Sequence, residues 1–382
     1  MRHGGRAAWV VTAMVVAGIW VAAARDGAPA RPVDPERDRV LRLLSGTPLI
    51  DGHNDLAWAI RKAGASGRLE AYGPGRRAPG HTDLDRLREG RVGAQLWSVY
   101  VPCELAPFDA TWMQREQIAL ALRFIETFPE HLALALTADD VERVFRSGRI
   151  ASLLAIEGGH VIASSLDSLR AFYDLGVRAM TLTHNCSLAW ADAATGGVRA
   201  GGLSDSGRAV VREMNRLGML IDLSHVSAAT MHHVLDVSRA PVIFSHSSAR
   251  ALTNHPRNVP DDVLRRLPDN GGIVMVTFVP EFVAGGAAAA GGPPSPRPSI
   301  DDVVAHIEHV RKVAGPDHVG IGGDFDGVSR TTAGLEDVSR YPDLFVALAR
   351  RGWSDADLRK LAGLNLLRVM RAVEAVRDSM AS

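Results

Sequence analysis

The amino-acid sequence predicts a (β/α)8 barrel, and three observations lead there. Eight short apolar runs recur between residues 48 and 327. Most are near-continuous rather than alternating, the pattern of parallel strands buried on both faces. Stretches with helical spacing lie between them, so strand and helix alternate along the chain. A doubly wound open sheet shares these features and is the alternative.

The barrel makes a claim that the sequence can test, because barrel enzymes carry their catalytic groups at the carboxyl ends of the strands. The first run, "PLIDGH", leads into His53 and Asp55. The second, "GAQLWSVYV", ends in no charged or imidazole group. "ASLLAIEGG" ends in Glu157, "VRAMTLTH" in His184, "GMLIDLSH" in His225 and "PVIFSH" in His246. The seventh, "GGIVMVTF", ends in none, and "HVGIGGDFDG" ends in Asp324 and Asp326. Six of the eight runs thus end in an ionisable or metal-binding side chain. Between them, "SDSGRAVVREMNRLG" and "SLDSLRAFYDLG" space apolar residues as a helix does and stop at glycine.

Composition bounds the rest. The chain has 382 residues, 46% hydrophobic, enough for a large core in one or two domains. Basic and acidic residues balance at 43 each, so no basic field points to nucleic acid. Residues 1–24 join a short basic start to an apolar run ending "AAA", which reads as a signal peptide for export to the periplasm or medium. Uncleaved, that run would be a membrane tether at the N-terminus. Residues 25–38 read as a linker, and 39–382 as the barrel. A Gly/Ala/Pro-rich stretch, 284–298, follows the seventh run and reads as a loop on the active-site face.

Singly, each strand-end residue is weak evidence. A lone histidine is often structural, His53-x-Asp55 fits a turn, and Glu157 could cap a helix. As a set they are a donor group: imidazole and carboxylate together suit zinc and similar divalent ions. His53, Asp55, Glu157, His225 and His246 are too many donors for one open catalytic zinc and suit two ions sharing a carboxylate. Such a pair lies about 3.5–4 Å apart and turns a bridging water into a hydroxide nucleophile. His3, His81, His131, His232, His233, His306 and His309 end no run and read as surface or helix residues. His160 reads as standing behind the donors, and Asp326 as a turn residue.

The motifs together resemble the membrane dipeptidase (renal dipeptidase) family of binuclear zinc peptidases. They are "LIDGHNDLAW", "LLAIEGGH", "MTLTHNCSLAWAD", "GLSDSGRAVVREMNRLGMLIDLSHVS", "PVIFSHSSARAL", "RNVPDDVL", "HVGIGGDFDG" and "NLLRV", in family order from about residue 40 to 375. The resemblance implies a dipeptide substrate and a homodimer. It implies that His53 and Asp55 hold one zinc, that His225 and His246 hold the other, and that Glu157 bridges them together with a water or hydroxide. It implies that His184 binds the substrate carbonyl, that Arg257 holds the substrate carboxylate, and that Asp324 moves protons to the leaving amine. It also implies a Cys103–Cys186 disulfide; an exported chain with two cysteines agrees with that, and two free buried thiols are the alternative. Mammalian members carry a C-terminal lipid-anchor signal, and "AVRDSMAS" has no apolar tail of that kind.

Two other functions fit parts of this pattern. A related barrel amidohydrolase would cleave N-acyl amino acids or lactams, which also offer a carboxylate to Arg257. A non-catalytic binding protein would keep the fold without needing every donor.

Overall fold

The computed structural model describes Met1, residues 34–284 and residues 297–381. The segment read as a signal peptide, most of the linker, and residues 285–296 of the 284–298 stretch lie outside the described residues. The fold is carried by Pro35–Ser382. Its first helix, Pro35–Ser45, starts inside the stretch read as linker.

Among the described residues nine strands form: β1 (Leu49–Asn54), β2 (Val92–Ser98), β3 (Leu132–Leu134), β4 (Ile150–Glu157), β5 (Val177–Thr181), β6 (Leu220–Asp222), β7 (Val242–Phe244), β8 (Ile273–Val276) and β9 (Val319–Ile321). All pair in parallel. β1 pairs with both β2 and β9, and β2 pairs with β4 across β3, which closes eight strands into a barrel. These eight are the eight apolar runs. β3 was not expected. It has three residues, of which only Leu132 is fully buried, and it pairs with the start of β4 outside the ring.

The runs are continuous because their environment is. Every residue of β1, β2, β4, β6, β7, β8 and β9 is buried, against the barrel interior on one face and helices on the other. The helix Asp205–Leu217 starts at Ser204, whose hydroxyl accepts the Gly207 N–H, and stops at Gly218 in the left-handed region (φ 74°), as the sequence suggests. The helix Leu166–Asp174 is capped in the same way by Ser165.

The amino-terminal end of the barrel is sealed from below. Asn365, at the start of the C-terminal helix Asn365–Ala381, donates from Nδ2 to the carbonyls of Pro316 and Val319, each at 2.8 Å. Leu366, Leu367 and Met370 of that helix pack with Ile50, Ile243 and Met275 of the strands. The preceding turn runs so close to β1 that a Cβ on Gly363 would meet the Pro48 carbonyl at 2.3 Å, so only glycine fits. With one end plugged, ligands reach the barrel from the carboxyl ends of the strands.

On that open face a disulfide joins Cys103, after β2, to Cys186, after β5, with Cα atoms 6.0 Å apart and a sequence separation of 83. No helix among the described residues is long and apolar enough to cross a membrane. Closing so long a loop removes chain entropy worth about 4–5 kcal/mol from the unfolded state. The double variant Cys103→Ser/Cys186→Ser should therefore lose up to about 4 kcal/mol in urea unfolding. An unchanged midpoint, with both thiols found free in the parent protein, would refute the bond.

Candidate metal centre

Five strand ends deliver the donors. His53 lies within β1 and Asp55 directly follows it; Glu157 is the last residue of β4. His225 and His246 lie on the turns after β6 and β7, and Asp324 on the turn after β9. All are buried. The expected donors do come together, with Glu157 at the centre. Its Oε2 is 3.5 Å from His53 Nε2, and its Oε1 is 3.0 Å from His225 Nε2 and 3.6 Å from His246 Nε2. Asp55 Oδ2 is 3.2 Å from His53 Nε2, and Asp324 offers an oxygen within 4.8 Å of both.

Backbone strain concentrates here. Six described non-glycine residues have positive φ, and two belong to this site, His225 at 69° and Asp324 at 61°, with Asp326 at 65° on the same turn as Asp324. Each costs on the order of 1–3 kcal/mol and persists only where its surroundings hold it. Two buried carboxylates do the holding. Asp51 Oδ1 accepts the N–H of Gly323 at 2.8 Å and of His53 at 3.4 Å, tying the turn after β9 to β1. Asp222 Oδ1 accepts the N–H of Ser224 and of Ser245, each at 2.9 Å, tying the turns after β6 and β7.

The donor set fits a divalent cation. His225 Nδ1 is 3.1 Å from Asn185 Oδ1, and His246 Nδ1 is 2.8 Å from Ser245 Oγ. With protons on those Nδ1 atoms, both Nε2 lone pairs face each other at 2.9 Å and face Glu157 Oε1 as well. Electron-rich atoms crowded in this way attract positive charge. Burial, followed by the charge of Arg257, pushes His225 well below its ordinary pKa; burial, followed by the charges of His53 and Arg257, does the same to His246. Both rings are neutral, as ligands must be. His53 moves the other way: burial opposes its charge, but Glu157 and Asp55 outweigh burial and raise its pKa well above the ordinary value. Two carboxylates thus call for positive charge at His53 Nε2.

A cavity of about 660 Å³ opens over these groups. His184 lines it, with Nε2 3.7 Å from Glu157 Oε1; burial holds its pKa down, so the ring is neutral. Arg257 lines it too and is 3% exposed. Its hydrogen bonds are long, 3.4 Å to Ser247 Oγ and 3.4 Å to the His246 carbonyl, and its guanidinium lies 5.2 Å from the Phe282 ring centre. No described carboxylate pairs with it within 4.0 Å. Burial lowers its pKa to about 10, which leaves it charged at neutral pH. Burial also raises Asp324 well above the carboxylate range; His53 and Arg257 oppose this, while Asp55 and Glu157 add to it.

Some residues depart from expectation. His81, read as a surface or helix residue, is half-buried and locks onto Asp326: its N–H donates to Asp326 Oδ1 at 2.7 Å, and the Asp326 N–H donates to its Nδ1 at 2.9 Å. Asp326 does occupy a turn, facing away from the donors. His306 lies on the helix Ile300–Ala314 as expected but is buried, accepting the Ala249 N–H at Nδ1. His160 sits behind Glu157, where burial lowers its pKa to about 4. Sequence reasoning passed over Tyr100, whose ring centre is 4.9 Å from that of His184, and over Trp58, Phe282 and His255, which also line the cavity. Tyr100 follows β2, and a phenol at a strand end carries no metal-donor signal in the sequence.

Comparison with known proteins agrees with this geometry. A family model described as membrane dipeptidase (peptidase family M19) matches residues 37–382. Dipeptidase verJ of Clonostachys rogersoniana is 44% identical over 359 residues, covering 91% of this chain and 90% of that protein. A metallopeptidase of Rhodobacter sphaeroides, solved with a phosphinate mimic of the dipeptide L-Ala-D-Ala, superposes with a TM-score of 0.77 at 26% identity, over 86% of this chain and 99% of that one. The probable dipeptidase PvdM of Pseudomonas aeruginosa shares the fold, with a TM-score of 0.79 at 23% identity over 89% and 99% of the two chains. The chain therefore belongs to the membrane dipeptidase family, peptidase family M19, and is a metallo-dipeptidase.

Proposed function

We propose that this cavity hydrolyses dipeptides with two divalent ions, zinc by the chemistry of the donors. His53 and Asp55 would hold one ion, His225 and His246 the other, and Glu157 would serve both. The observation that carries this is the division of Glu157: one oxygen faces His53 and the other faces His225 and His246. When bound, such a pair acidifies water and polarises a carbonyl.

The chain's own side chains do the rest. His184 is neutral and faces the centre, so its ring N–H can donate to the oxygen on which charge develops. Asp324, whose pKa burial raises well above the carboxylate range, would deliver a proton to the departing amine. Arg257 is a buried cation with weak partners, and a substrate carboxylate completes it. The dipeptide mimic bound by the Rhodobacter sphaeroides enzyme supports the same substrate class here. Export led by residues 1–24 is part of the proposal; the Cys103–Cys186 bond supports it, because such bonds persist in oxidising compartments.

Metal analysis tests the two-ion reading. The purified protein should carry two ions per chain, and His225→Ala should lose one of them and nearly all activity. A fully active enzyme with a single ion would overturn it.

The substrate anchor has a separate test. Removing one partner of a buried charged pair costs about 2–5 kcal/mol, and each 1.36 kcal/mol is about tenfold in rate. Arg257→Ala should lower kcat/KM on a dipeptide by roughly 30- to 3000-fold with metal content intact. Amidating the substrate carboxylate should then hurt the wild type far more than the variant. Equal losses would show that Arg257 is not the anchor. An N-acyl amino acid in the same assay, cleaved faster than any dipeptide, would move the substrate class to the related amidohydrolases.

A further inference from the structure

One carboxylate beside the centre has no part in the proposed chemistry, yet it is wired to two of the donors. Asp222 ends β6 and is 2% exposed. It receives the N–H groups of Ser224, on the turn that carries His225, and of Ser245, on the turn that carries His246. The Ser245 hydroxyl faces the same carboxylate. That hydroxyl oxygen is 2.8 Å from His246 Nδ1, on the side of the ring away from Glu157 and His225. Carboxylate, hydroxyl and imidazole stand in a row, all three buried.

The proton order in that row has consequences. Burial raises the pKa of Asp222, against the Ser245 hydroxyl and the two N–H groups it receives; in its ionised form the carboxyl only accepts, so the single hydroxyl proton goes to Asp222 and an oxygen lone pair is left for His246 Nδ1–H. The ring proton then sits on Nδ1, and Nε2 is a free donor pair. In the competing order the hydroxyl gives its proton to Nδ1, and Nε2–H spends itself on His225 Nε2, 2.9 Å away, closing both rings to a cation.

We propose that Asp222 and Ser245 are positioning residues that set the tautomer of His246, presenting its Nε2 lone pair to a divalent ion. The role rests on the reading of His246 as an ion donor. Second partners of this kind typically change ion affinity 10- to 100-fold.

Asp222→Asn separates this role from a merely structural one. The amide oxygen can keep the two N–H groups, while the NH2 replaces the other oxygen and donates to Ser245 Oγ. The hydroxyl proton then turns toward His246 Nδ1 and the tautomer reverses. In the full chain stripped of metal and labelled with 15N-histidine, the wild type should show His246 protonated on Nδ1 and Asp222→Asn should show it protonated on Nε2. In chelator competition with zinc, Asp222→Asn and Ser245→Ala should each weaken one of the two ions by about 10- to 100-fold and leave the other unchanged. The double variant should be no weaker than Ser245→Ala alone, because the relay is already broken. A wild-type His246 protonated on Nε2, or variants with both affinities intact, would overturn the proposal. Should the stripped chain or a variant fail to fold, zinc competition on Ser245→Ala, checked by its melting temperature, still decides. A wild type with the expected tautomer that binds only one ion would sink the two-ion reading and leave the tautomer assignment standing.

Discussion

The buried charge of Glu157 is the constraint on which the rest of this structure depends. An ionised carboxylate inside a barrel is costly unless positive charge is brought to it. Here the surrounding polarity is arranged for that purpose. Its pKa is driven well below the ordinary value: burial opposes this, and His53 and His225 outweigh burial. Ser98 adds a hydrogen bond to Oε2 at 3.1 Å. Yet His53 alone cannot serve as counter-charge for both Glu157 and Asp55, while His225 and His246 are held neutral by burial. Metal charge among these atoms would resolve the imbalance, which is why the same five side chains read as a candidate metal centre from charge and from geometry.

That centre needs strand ends that do not move. β1 and β4 are buried along their whole length, and the C-terminal helix plugs the barrel beneath them. The turns above are less regular: His225 and Asp324 sit in left-handed backbone that neither residue favours. Asp51 and Asp222 hold those turns through pairs of backbone N–H groups, and the disulfide holds the segments that follow β2 and β5, where Tyr100 and His184 meet. The strain is local and the restraint comes from buried hydrogen bonds and a covalent link, so the donors stay aimed whatever the outer loops do.

The barrel was legible because a strand buried on both faces has no polar alternation to dilute it; all eight ring strands show as apolar runs. β3 escaped because three residues, mostly half-buried, carry too little pattern. The convergence of the five candidate donors and Arg257 on one cavity was legible because barrel topology puts strand ends at one mouth, so position along the chain stands in for position in space. Residues that act through shape or relay were not. Tyr100 lacks the charge or imidazole that marks a metal donor in a sequence. Asp51 and Asp222 stand inside the apolar runs "PLIDGH" and "GMLIDLSH", each in the same "LID" triplet; a carboxylate in the middle of a buried run was itself a signal, since it has to be paid for by hydrogen bonds. His81 could not be found at all, because its partner Asp326 is 245 residues away.

The substrate cavity continues the same electrostatic logic. Arg257 is as buried as the donors, and its positive charge helps keep His225 and His246 neutral. The cation that would anchor a substrate's carboxylate therefore also keeps proton charge off the rings that would hold an ion. Glu157 and Asp324 in turn favour the charged form of Arg257, which burial disfavours. Anchor and centre are coupled through space rather than through a shared bond. The cavity is thus selective in charge before it is selective in shape. An anionic terminus would meet Arg257 on one side of the cavity and a developing oxyanion would meet His184 on the other, while burial, by raising the pKa of Asp324, would weaken the repulsion of either.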